Sequence, residues 1–122
     1  MYNGKRQFEL HITSILLGES QSWSLYAVPV LSRENVRRCE VSNVLELTFL
    51  LSQLRVIGVP ETILRSAGER VTSSNLSVVL GVFNLSEADL KLLGLAQEGE
   101  LSVTDLETLL GREDTSDVDS SD

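Results

Sequence analysis

Two side chains in this sequence have the chemistry of a nucleophile and its base: Cys39 and His11, the only cysteine and the only histidine among 122 residues. A thiol nucleophile ordinarily needs an imidazole beside it to take its proton. Phe8, Leu10 and Ile12 alternate with Glu9, His11 and Thr13, so a strand here turns His11 away from the core side. The same alternation in Val36 to Val41 turns Cys39 toward the core. The two then lie on opposite sides of a sheet, which reads as a surface histidine and a small core-filling thiol.

The other candidate chemistries fail on spacing. Glu87 with Asp89 and Asp105 with Glu107 sit at helix starts, where capping and the helix dipole explain them, and six scattered aromatic residues supply no sugar-binding pocket. Asp114, Asp117, Asp119 and Asp122 lack the central glycine and terminal glutamate of a calcium loop. Gly58, Gly68, Gly81, Gly94, Gly99 and Gly111 stand singly, as stops or turns do, so no phosphate-binding loop is formed. We therefore expect no enzyme activity, no metal, no cofactor and no small-molecule ligand.

The charge distribution is more informative. Residues 1–70 carry net +1 and residues 71–122 net −9, giving −8 overall. A near-neutral body and an acidic distal part are expected to do different work. Arg33, Arg37 and Arg38 with Lys5 and Arg6 form the one basic concentration, and share a surface if the N-terminal segment lies beside the third strand. Phosphate repulsion by the rest of the chain disfavours nucleic acid as its partner, which leaves a protein or the chain's own acidic tail.

A single cysteine allows no internal disulfide, and Glu9, His11 and Thr13 interrupt the N-terminal apolar run below what a signal peptide needs. No stretch approaches the roughly 20 apolar residues of a membrane span. Asn75-Leu-Ser77 and Asn84-Leu-Ser86 match a glycosylation acceptor pattern by chance, since no secretory signal accompanies them. The expected home is the cytoplasm.

The elements that position these residues follow from period and punctuation. Phe8–Thr13 and Trp23–Pro29 read as paired strands about a turn at 18–22, and Val36–Val41 as a third, shorter strand after a turn at Ser32–Asn35. Asn43 three residues before Glu46 caps a helix that runs to Gly58. On its wheel Val44, Leu47, Leu50, Leu51, Leu54 and Ile57 make a broad apolar arc, and Leu45, Phe49 and Val56 a separate stripe bounded by Glu46, Gln53, Ser52 and Arg55. A helix with two apolar faces must pack on two things.

Pro60 and Gly68 delimit a short helix, with a loop from Glu69 to Asn75, and residues 76–83 read as a buried fourth strand, with a helix as the alternative. Leu85-Ser86-x-x-Asp89-Leu90-x-x-Leu93 recurs sixteen residues later from Leu101, giving two short capped helices. From Arg112 onward Val118 is the one apolar residue, so 113–122 is expected to be a disordered acidic tail. The fold expected is α+β: an antiparallel sheet of three to four strands, beginning as a meander, on a central helix, in a single domain over 1–112.

The role expected is a non-enzymatic protein-binding module, an adaptor, chaperone or assembly factor, homodimeric through the second stripe of the central helix or an edge strand. Leu45, Phe49, Val56, Arg33, Arg37 and Arg38 are its expected contact residues, the stripe being covered either by the C-terminal helix pair or by a partner. The alternative is an acidic inhibitor or nucleic-acid mimic that binds a basic protein through the acids of 87–122. In size, acidity and mixed make-up the chain resembles the small acidic dimeric chaperones of bacterial secretion systems. It opens on a strand where they open on a helix, and no motif carries their residues over.

Overall fold

A computed structural model describes residues 4–31, 35–72 and 75–95. The chain forms β1 (Arg6–Leu17), β2 (Ser20–Pro29), β3 (Arg37–Val41), α1 (Val44–Val56), α2 (Glu61–Val71), β4 (Ser77–Leu85) and α3 (Glu87–Leu92). The four strands make one antiparallel sheet in the order β3-β2-β1-β4. This is the expected α+β fold, and the 76–83 stretch forms a strand, β4, rather than a helix, although as an edge strand with Val79 and Val82 exposed rather than a buried one. The second capped segment from Leu101 and the tail at 113–122 lie outside the described residues.

Gly18 sits at φ 62° in the two-residue turn between Leu17 and Ser20, the Gly-x arrangement that matches the twist of paired strands. The hairpin is therefore longer and tighter than a turn at 18–22 implies. From the register, Phe8, Leu10 and Ile12 of β1, Trp23, Leu25 and Ala27 of β2, and Cys39 and Val41 of β3 share one face. Leu47, Leu50 and Leu54 of α1, Leu64, Ala67 and Val71 of α2, and Leu90 of α3 close over that face. The pairing of β1 with β4 shifts between Leu10 and His11, and Gly81 at φ 131° absorbs the shift. A Cβ there would stand 3.2 Å from the Phe83 ring, so a side chain would add a tight contact to the backbone strain of a positive φ.

Local capping matches the sequence. Asn43 Oδ1 accepts from the Glu46 N–H at 2.9 Å, and Glu46 Oε1 accepts from the Ser42 N–H at 3.2 Å. Ser86 and Asp89 form a reciprocal box at the start of α3. The carbonyl of Val71, left free by the end of α2, accepts from Trp23 Nε1 at 2.9 Å and Gln21 Nε2 at 3.0 Å, which ties the helix to β2.

Three further expectations are corrected. Gly68 does not end the second helix, which continues to Val71. It lies instead where α2 passes α1, and a Cβ on it would fall 3.4 Å from Leu51 Cδ1, an ordinary van der Waals contact. Val44 belongs to the core arc on the wheel but is exposed, in the first turn of α1. His11 is the largest departure: it is 3% exposed, not a surface residue.

Candidate functional site

The face of the sheet away from the helices carries Glu9, His11 and Thr13 from β1, Ser24, Tyr26 and Val28 from β2, and Arg38 and Glu40 from β3. His11, Thr13, Tyr26 and Val28 are buried, so the two central strands are covered on both sides. The signal for this lies in β2, where Leu25-Tyr26-Ala27-Val28 runs apolar without a break, the pattern of a strand buried on both faces. His11 Nε2 lies 2.8 Å from Glu9 Oε1, while Nδ1 is buried with no hydrogen-bond partner. Burial pushes the Tyr26 hydroxyl above its ordinary pKa, opposed by hydrogen bonds with Arg38 and Ser24.

Cys39 is on the other face, in register with Leu25. The thiol and the imidazole are thus separated by the sheet, as the alternation implies. Burial raises the Cys39 pKa, and Glu46 and Glu40 raise it further by repelling a thiolate. This environment suppresses nucleophilicity. Among the described residues no group of three or more histidine, cysteine, aspartate or glutamate side chains could hold a metal ion, and no helix is long and apolar enough to cross a membrane.

The described arginines of the sheet divide between two surfaces, Arg6 and Arg37 on the helix side and Arg38 on the other. Arg37 and Arg38 are neighbours on a strand and so point to opposite faces. Arg37 makes two bonds to Glu87, Nη1 to Oε1 at 2.8 Å and Nη2 to Oε2 at 3.1 Å, with its side chain 12% exposed. Arg6 adds a third at 3.3 Å, although β1 is separated from β3 by β2. Hydrogen bonding from Arg37, then the charges of Arg37, Arg6 and Lys91, hold the Glu87 carboxyl below its ordinary pKa. Arg38 reaches Glu40 at 3.4 Å. Arg33 lies outside the described residues.

The second stripe of α1 is present as a continuous exposed face. Leu45 is 83%, Phe49 63% and Val56 70% exposed, on the side of the helix opposite Leu47, Leu50 and Leu54. Helix α3 packs on β4 and is latched to β3 through Glu87, so it does not reach this stripe. Alongside runs a shallow groove between α1 and α2, lined by Thr48, Leu51, Ser52, Arg55, Glu61, Leu64 and Arg65. Glu61 bridges it, 3.8 Å from Arg55 and 3.2 Å from Arg65.

No protein-family model, curated protein or solved structure matches the chain.

Proposed function

We propose that this chain is a small non-enzymatic protein-binding module, a cytoplasmic adaptor, chaperone or assembly factor that works as a homodimer, with the outer face of α1 as its contact surface. One observation carries this reading: a helix capped at its start and buried along one side holds Leu45, Phe49 and Val56 out to solvent on the other. Large apolar side chains grouped on a rigid element are the usual anchors of protein interfaces. Placing Cys39 and His11 on opposite sides of the sheet argues against nucleophilic catalysis.

The acidic-inhibitor alternative draws less support. Of its clustered acids, Glu87 is bonded to Arg37 and Arg6 and Asp89 closes the α3 cap, so both have structural work. The decisive experiment compares wild type with Phe49→Asp for every complex formed, with itself or with other proteins. The expected result is a folded variant that has lost association. Wild type and variant that sediment alike and bind the same proteins would remove the reading.

A further inference from the structure

We infer that the occupant of the exposed α1 face is a second copy of the same helix, packed antiparallel about a two-fold axis that passes between Leu50 and Leu51. The inference rests on the reading of that face as the homodimer contact and adds the orientation and register of the two helices.

The exposed face is made by Leu45, Phe49, Ser52 and Val56, spaced four, three and four residues apart. That alternation of three and four is the spacing of a helix-to-helix seam. It also reads the same in both directions. Reversing the helix therefore superimposes the seam on itself, with Leu45 against the partner's Val56 and Phe49 against the partner's Ser52. The largest seam residue is set over the smallest, which is the interdigitation that close packing asks for. Parallel pairing would stack Phe49 on the partner's Phe49 and leave serine facing serine across a gap.

The seam serine is already prepared for burial. Its Oγ donates to the Thr48 carbonyl at 3.1 Å, so covering it strands no hydroxyl. The flanks agree as well. In an antiparallel pair, residues on one flank meet the same flank of the partner, so Glu46 lies beside the partner's Gln53 and Arg55 beside the partner's Thr48. No like charges meet along the seam. With three apolar residues from each copy the contact is small, and the dimer belongs among the weak, concentration-dependent ones.

The test uses the full chain in a Cys39→Ala background, which removes the native thiol. Leu45→Cys and Val56→Cys are made separately, and each is oxidised alone and as an equimolar mixture. In the antiparallel arrangement, like positions at the helix ends lie about 16 Å apart along the axis, too far for a disulfide, whereas Leu45 and the partner's Val56 are adjacent. The mixture is expected to give roughly five-fold more disulfide-linked dimer than either variant alone. Sedimentation of the uncrosslinked chain from about 1 to about 500 µM is expected to show a monomer–dimer equilibrium that Phe49→Asp abolishes.

Preferential linkage of Leu45→Cys to itself would overturn the antiparallel geometry while leaving the contact surface in place. A wild-type chain that stays monomeric throughout would overturn self-pairing, as would occupation of the stripe by the chain's own distal segment. In that case the broader binding reading still stands or falls on whether Phe49→Asp loses a heterologous complex.

Discussion

The carboxylate of Glu87 accepts two hydrogen bonds from the guanidinium of Arg37, at 2.8 and 3.1 Å, and so fastens the start of α3 to an edge strand fifty residues earlier in the chain. The pair is half in solvent, since Glu87 is largely exposed while Arg37 is nearly covered. Its strength comes from the planar fork of two parallel bonds rather than from burial.

This pair carries a pH dependence of known sign. A carboxyl whose pKa is lowered by folding stabilises the native state above its unfolded value and loses that contribution as pH falls through the folded value. Glu87→Gln is therefore expected to be less stable than wild type at pH 7 and to approach wild type near about pH 2. Urea midpoints of both proteins across that range check it. A gap that stayed constant with pH would show that the carboxylate charge contributes nothing.

Two adjacent residues of α1 are expected to behave in opposite ways. Leu50→Ala empties a buried site and should cost about 2–5 kcal/mol. Phe49→Asp changes an exposed site and should shift monomer stability by about 0.5 kcal/mol or less. Denaturant unfolding at low protein concentration, where association makes no contribution, measures both.

Cys39 should react slowly. With its thiol half-buried and its pKa raised by burial, Glu46 and Glu40, iodoacetamide alkylation at pH 7 is expected to be several-fold slower than for free cysteine, and to accelerate with rising pH beyond the ordinary thiol range. Mass spectrometry of timed samples gives the rate. Alkylation as fast as that of free cysteine would contradict the packing described.

Gly94→Ala should destabilise by about 1–2 kcal/mol. The residue ends α3 at φ 80°, and a Cβ there would stand 3.1 Å from Cys39 Sγ. Gly58→Ala should also destabilise, through backbone strain at φ 120° alone, since open space surrounds it. Thermal melts of each variant against wild type measure the two costs.

The sequence disclosed the elements better than their surroundings. Asn43 with Glu46 and Ser86 with Asp89 announced α1 and α3, because each cap is satisfied by residues three apart. Gly68 misled because a glycine in the interior of a helix looks, in one dimension, like a glycine that ends one. His11 misled for a related reason: polarity alternating along β1 marks which side chains share a face but not whether that face is covered. Arg6 and Arg37 meet through Glu87, a residue on an element the linear charge pattern had set apart from them. The α1 stripe was fully legible, since both its apolar residues and the buried set opposite them lie within one helix.

The strand order has a consequence for synthesis. β1 pairs on one side with β2, its immediate successor, and on the other with β4, so that Arg6 waits for Leu85. At roughly 5–20 residues per second, a growing chain holds that side of its first strand open for on the order of ten seconds, with the β1–β2–β3 meander already able to form. Throughout that interval Leu10 and Ile12 have no β4 neighbour and no complete helical cover. Until β4 is made, that side of β1 is an unpaired edge, a row of free N–H and C=O groups open to pairing with another chain.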